Sequence, residues 1–217
     1  MTLTHAEYKT IANNIRPNGQ AFIDGKFCDA ADGTKFETTN PATGQILANV
    51  AHCKSTDVDR AVVAARRVFN AGTWSRAEPE ERKEVLLKVA ALVREHTHEL
   101  AVLESLDTGK TINDCMDEIG GEVVNFFQWY AELADKSFGK IAPTGPSALA
   151  LIVKEPAGVA GAVLPWNFPL VMAAWKIAPS LAVGCSAVIK PAEQTPLTTI
   201  RLAELMQEAG VPDGVIN

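Results

Sequence analysis

The 217-residue chain carries a net charge of −6, with 47% apolar and 21% charged residues. A chain of this size buries roughly 70% of its extended surface, enough for a substantial core. The acidic balance, with no long run of Lys and Arg, excludes nucleic acid as a bulk partner, because phosphate contact needs a basic stripe.

Residues 1–20 read as a frayed polar lead-in ending at the turn Pro17-Asn18-Gly19. Met1–Arg16 lacks the basic start and apolar segment of a signal peptide. Phe22-Ile23 and Lys35-Phe36-Glu37 flank the turn signal Asp24-Gly25-Lys26, which predicts a small antiparallel hairpin. Asn40–Gly44 is a second turn, and Ile46–Ala51 a further strand.

A helix is predicted from Ser55, with Ser55, Thr56 and Asp57 as cap and first-turn acid, and Val58, Val62, Ala65 and Phe69 as its apolar face. Gly72 closes it. The next helix has Pro79 in its first turn, a buried face of Val85, Val89 and Leu92, and a solvated side of Arg82, Lys83 and Lys88. His96 and His98 fall in a polar link before a third helical segment ending near Leu106, and read as surface histidines. The spacings of Cys28, Cys53, Cys115 and Cys185 fit neither zinc nor a disulfide framework, so no metal site is expected. Scattered cysteines without an export signal point to a cytoplasmic protein.

Asp114–Lys136 is predicted as the longest helix, with Phe126, Phe127, Trp129 and Tyr130 crowded onto its second half, as core-facing aromatic residues commonly are. Ser137–Ile141 and Ser147–Lys154 flank Pro143-Thr144-Gly145-Pro146 and read as a protruding hairpin. Such a ribbon is marginal alone and should pack on something.

Val159–Leu164 is a short apolar run that suits a strand buried on both faces; Pro165 and Pro169 end it, Leu170–Val183 is helical, and Ala187–Ile189 is a second strand. Pro156–Trp175 is uncharged, but its prolines and Asn167 argue for a buried parallel sheet rather than a membrane span. The resulting βαβ unit predicts an α/β fold with a Rossmann-like parallel sheet and helices on both faces. Ligands of such sheets bind beyond the strands' carboxyl ends, where Asn167, Lys190 and Glu193 fall. Thr195-Pro196 starts a further helix that runs to Ala209, and Val215-Ile216 begins a third strand, leaving the sheet incomplete at Asn217.

Pro165-Trp166-Asn167-Phe168-Pro169 and Lys190-Pro191-Ala192-Glu193-Gln194-Thr195-Pro196 together resemble the NAD(P)-dependent aldehyde dehydrogenase superfamily. The resemblance runs from about Phe22 onward and includes Asn40-Pro41-Ala42-Thr43-Gly44 and Glu104-Ser105-Leu106-Asp107-Thr108-Gly109-Lys110. It implies an enzyme that oxidises an aldehyde to a carboxylic acid with NAD through a thiohemiacetal. It implies Leu164, Pro165, Trp166, Lys190 and Glu193 at the cofactor, Phe168, Met172 and Trp175 in the substrate funnel, and the helix of Phe126, Phe127, Trp129 and Tyr130 as one wall of the aldehyde tunnel. It also implies that the hairpin joins subunits of a homo-oligomer, a dimer or tetramer. In the family the nucleophilic Cys, the general-base Glu and the catalytic domain lie downstream of the position matching Asn217, so the chain is expected to be inactive alone. A truncated module that binds nucleotide or pairs with full-length subunits is the alternative.

The chemistry fits those positions. Glu193 can accept from both ribose hydroxyls and repels a 2′-phosphate, favouring NAD; Lys190 can donate to the same ribose and partly offset a phosphate, so NADP remains open. Asn167 is either a turn residue or a neutral donor to the oxyanion that develops during aldehyde oxidation. Gly158-Val159-Ala160-Gly161 lies at a strand's start and is no phosphate cradle. The expected parts are 1–137, the first hairpin and helices of the cofactor domain; 138–156, the oligomerisation hairpin; and 157–217, its βαβ core. Ile141–Gly145 with Leu149–Val153 resembles the gamma-glutamyl-gamma-aminobutyraldehyde dehydrogenase subgroup, and Asp114, Asp117 and Glu118 suit an amine-bearing aldehyde or simply a solvated helix start.

Overall fold

The computed structural model describes residues 3–217. The chain does not open as a frayed lead-in. Helix α1 (His5–Asn14) is nucleated by a reciprocal cap in which the Glu7 N–H donates to the Thr4 hydroxyl and the Thr4 N–H to the Glu7 carboxylate. Thr4-His5-Ala6-Glu7 is the spacing of a capping box, and that was its signal in the sequence. Tyr8 then meets His98 of a later helix, hydroxyl to Nδ1 at 3.2 Å.

The turn at Asp24-Gly25 forms with different strands from those expected. Asp24 (φ 53°) and Gly25 (φ 73°) are both left-handed, the geometry of a two-residue hairpin loop. It joins β1 (Ala21–Ile23) to β2 (Lys26–Cys28), the strand immediately following, with Phe22 opposite Phe27. Lys35–Thr39 is instead β3, which pairs antiparallel with β4 (Ile46–Ala51) across the Asn40–Gly44 turn.

Helix α2 (Ser55–Ala71) ends at Gly72 with φ 83°, and the Asp57 carboxylate accepts from the Lys54 N–H at its start. Its buried face is Ala61, Ala64, Ala65 and Val68; Val58 and Val62, expected inside, are exposed. The small residues let α2 approach the sheet closely, and the valines fall one position off that contact.

Helices α3 (Pro79–Glu95) and α4 (Thr97–Thr108) meet at His96, leaving no polar link between them. Leu86, Val89, Ala90 and Val93 carry the buried face of α3, while Val85 and Leu92 are half-buried at its margin. Arg82 is buried rather than solvated. Its guanidinium donates to the carbonyls of Ala182 and Ala77, satisfying the end of another helix. Lys83 bridges to Glu132 and Asp135, each at 3.2 Å. His98 ties α4 to α1 through Tyr8, while His96 makes a local bond to Glu99 in the first turn of α4.

The expected long helix runs unbroken from Ile112 to Leu133 as α5 (Ile112–Asp117), a π-helical segment (Glu118–Val123) and α6 (Val124–Leu133). Gly120 and Gly121, poor helix formers, sit in the wider turn. This changes which aromatic residues face inward: Phe127 is fully buried, Phe126 and Tyr130 are half-buried against the core, and Trp129 is exposed.

Hairpin β5 (Lys140–Ala142) and β6 (Ala150–Ile152) forms as read, with Ile141 opposite Leu151. Ile141, Leu149, Leu151 and Val153 are exposed on it. Strands β7 (Val159–Val163) and β8 (Ser186–Lys190) pair parallel across α7 (Pro169–Ala182). Ile216 continues the sheet beside Ala187, again parallel, with the Ala187 N–H donating to the Val215 carbonyl. The core lies between α3, α6, α7, α8 (Leu197–Glu208) and one face of this sheet. Burial on both faces is not observed: Ala160 and Ala162 pack on the core, whereas Val163 is 76% exposed. The open face looks onto a cavity of about 520 Å³ walled by β1, β4, α2 and α8.

No described helix is long and apolar enough to cross a membrane.

Candidate active site at the carboxyl ends of β7 and β8

Parallel pairing places the two sequence motifs side by side. Val163 lies opposite Lys190, and the Leu164 N–H donates to the Lys190 carbonyl at 3.0 Å. The chain after β7 turns out at Pro165, leaves Trp166, Asn167 and Phe168 exposed, and re-enters as α7 at Pro169, where a missing N–H costs nothing. The loop after β8 returns to it: the Thr195 hydroxyl donates to the Trp166 carbonyl at 2.9 Å. Thr195 was expected to cap α8, and that expectation is corrected. The helix begins at Leu197, Pro196 precedes it, and the Thr195 hydroxyl is committed to the other loop.

The cap of α8 comes instead from α4. The Asp107 carboxylate accepts the Leu197 N–H at 3.0 Å and the Thr38 hydroxyl at 3.2 Å, and Thr38 also reaches the Gln194 carbonyl at 3.4 Å. One turn earlier, the fully buried Glu104 accepts the Thr198 hydroxyl through Oε2 at 2.6 Å, while its Oε1 has no partner. Burial pushes the Glu104 carboxyl up to about 7, against the pull of Thr198, Lys110 and the Leu170 N–H at the start of α7. Burial likewise raises Asp107 to about 6. Just past the helix, the Lys110 ammonium lies 3.7 Å from the centroid of the Phe168 ring and bonds both oxygens of Glu118. None of these three had a role in the sequence reading. Their signal was the spacing Glu104, Asp107, Lys110, which puts acids on one helix face just before a terminal Gly109.

Lys190 and Glu193 form an ion pair at 2.6 Å and stand more than half exposed. The Lys190 hydrogen bond holds the Glu193 carboxyl below the usual carboxylate range, so it is an anion and an acceptor at neutral pH. Both residues line the open-face cavity with Val163, Val188 and Ile189. Trp166, Asn167, Phe168, Met172 and Trp175 do not line it. Leu164 turns into the core. Phe168 and Trp175 are exposed on α7 and its approach, and Met172 is half-buried. Trp175 stacks on Phe126 of α6, with centroids 5.5 Å apart and planes 19° from parallel. Phe126 of α6 and Trp175 of α7 thus form one stacked pair, and Phe168 on the approach to α7 lies against Lys110.

Burial pushes the Cys115 thiol up to about 12 and keeps it neutral; Cys53, although exposed at its surface, is raised to about 11 by partial desolvation and the nearby Asp57. Cys185 is buried at the amino end of β8. Among the described residues, no cluster of His, Cys, Asp and Glu could hold a metal ion.

This geometry coincides with a known family. The aldehyde dehydrogenase family profile matches residues 27–217, and the chain belongs to that family. It is 53% identical over 215 residues to the aminoacetaldehyde dehydrogenase of Pseudomonas aeruginosa, a match covering 99% of this chain and 43% of the relative. It is 47% identical to the NADP/NAD-dependent aldehyde dehydrogenase PuuC of Escherichia coli, covering 100% of this chain and 44% of PuuC. Among solved structures, a mutant of the P. syringae AldA indole-3-acetaldehyde dehydrogenase in complex with NAD+ and IAA superposes with a TM-score of 0.97 at 44% identity. That superposition covers the whole chain and 44% of the other. The chain thus spans less than half the length of these relatives.

Proposed function

We propose that this chain is the cofactor-binding part of an NAD-dependent aldehyde dehydrogenase, which oxidises an aldehyde to a carboxylic acid through a thiohemiacetal. The observation that carries the reading is the junction of the two strand-end loops, which sets Asn167 and the Lys190–Glu193 pair on adjacent tips of one parallel sheet. The residues suit a dinucleotide. Glu193 is an ionised acceptor for two vicinal hydroxyls, Lys190 is a donor beside it, and both line an apolar cavity of about 520 Å³. NAD, when bound, would accept the substrate's hydride.

In this reading the chain's own residues orient and stabilise. Glu193 and Lys190 grip the ribose. The Asn167 amide donates to the oxygen that gains negative charge when a thiolate adds to the aldehyde, and it does so without a permanent charge. Phe168, Met172 and Trp175, backed by Phe126, form the wall along which the aldehyde approaches. The nucleophile and general base come from a segment outside these 217 residues, so the chain alone turns over no aldehyde. The parts are 1–137 and 157–217 for the cofactor domain and 138–156 for subunit pairing, the last supported by the exposed apolar side chains of β5 and β6. An amine-bearing aldehyde is favoured as substrate by the likeness to aminoacetaldehyde dehydrogenase and by the exposed Asp114 and Asp117 of α5. Glu118 does not contribute to that preference, because Lys110 neutralises it.

Calorimetric titration with NAD and NADP tests the cofactor assignment. Glu193→Gln is expected to weaken NAD roughly tenfold and to narrow the gap to NADP, through loss of charge-assisted bonds to ribose and of repulsion toward a 2′-phosphate. Its melting temperature should stay put, because an exposed ion pair contributes little to stability. Equal NAD affinity in wild type and variant would remove Glu193 from the site.

A further inference from the structure

The end of α4 touches both loops of the candidate site without reaching the cavity. Asp107 holds the start of α8 through Leu197 and the Gln194 turn through Thr38. Glu104 holds the Thr198 hydroxyl in the first turn of α8. Lys110 lies against the Phe168 ring, one residue from Asn167, and is fixed there by Glu118. Beyond the ladder bond from the Leu164 N–H to the Lys190 carbonyl, the side chain that joins the loops among the described residues is Thr195, bonded to the Trp166 carbonyl. A buried carboxylate that only capped a helix would need no contact with the neighbouring loop. Here three residues spaced by three positions hold two loops that come from different strands.

We infer that Glu104, Asp107 and Lys110 are positioning residues that set the Asn167 loop and the Lys190–Glu193 loop as one unit, with Thr195 as the link between them. The inference rests on the proposed roles of Asn167, Lys190 and Glu193. It adds that neither loop takes up its working position independently. Asp107 acts from the β8 side and Lys110 from the β7 side, so loosening either should loosen both.

Amide hydrogen exchange by mass spectrometry on the 217-residue chain reads this directly in peptides covering 163–170 and 188–198. Lys110→Met removes the contact with Phe168 and should speed exchange roughly tenfold in both peptides, although Lys110 makes no contact with the second. Asp107→Ala should do the same from the other side, and Asp107→Asn, which can still accept the Leu197 N–H, should restore protection. On a Thr195→Val background, Lys110→Met should affect 163–170 alone. Val89→Ala, a cavity in the distant α3 core, supplies the control: it should lower global stability without singling out these peptides. Should Asp107→Ala fail to fold, Lys110→Met and Thr195→Val decide the matter between them. Effects confined to the loop each residue touches, or spread as in Val89→Ala, would overturn the inference.

Titration with NAD keeps this apart from the functional reading. Coupled exchange together with NAD affinity indifferent to Glu193→Gln would sink the cofactor assignment and leave the coupling standing. Uncoupled exchange together with NAD affinity lost in Glu193→Gln would do the reverse.

Discussion

Asn167→Ala in the complete enzyme is expected to lower kcat roughly 10²–10³-fold while leaving the KM for aldehyde nearly unchanged. In the proposed role the amide acts on charge that develops only during thiolate addition, so its removal should spare ground-state binding. Its backbone is anchored on both sides, by the Thr195 bond to Trp166 and by the start of α7 at Pro169, and the residue itself is exposed. That anchoring means the alanine variant should keep the fold and the melting temperature. Single-turnover kinetics check the prediction: the loss should fall on the first burst of NADH and not on later product release. A variant with normal burst rate and raised KM would make Asn167 a binding residue only.

The second large effect is on stability and comes from Glu104. Its carboxyl has an ordinary value of 4.5 and is raised to about 7 by complete burial. The fold therefore favours the neutral form. That contribution is full below pH 4.5, declines as pH rises, and is lost once pH passes through 7. The gap between the two values corresponds to about 3 kcal/mol. The groups facing Glu104 are the Thr198 hydroxyl of α8, the Leu170 N–H of α7, Lys110 beyond its own helix, Cys115 of α5 and Glu118 of the π segment. Asp107, raised to about 6, adds to the same slope. Urea unfolding at about pH 5.5 and pH 8 should show wild type weaker at the higher pH. Glu104→Gln, which cannot ionise but can still accept from Thr198, should flatten much of that difference. Working above pH 5 avoids the surface carboxylates held low by partners, such as Glu99 and Glu193, whose contribution fades in acid. An unchanged slope in the glutamine variant would place the titration elsewhere.

The region from Val159 to Ile216 was legible because its signals are short-range. Prolines at 165 and 169, an apolar run on each side and Lys190 at a strand's end fix strand, turn and helix without help from distant residues. The open face of β7 was not, since apolar composition says a residue can be buried and not whether a neighbour arrives to bury it. Val163 shows the difference. The same limit explains α2, where the buried stripe is set by small alanines that permit close approach, and larger Val58 and Val62 lie outside it. Arg82 was misread because a guanidinium next to Lys83 looks solvated until the carbonyls of Ala182 and Ala77 appear, the former 100 residues away. The supports of the site were the hardest to see. Asp107 and Leu197 are 90 residues apart, and no local pattern announces that a helix will be capped from another helix.

Proton–nitrogen NMR of the 217-residue chain during NAD titration puts the account to its most direct trial. The side-chain amide of Asn167 and the backbone amides of Lys190 and Glu193 should shift together along a single isotherm. Shifts confined to one tip would contradict a shared cofactor site at the carboxyl ends of β7 and β8.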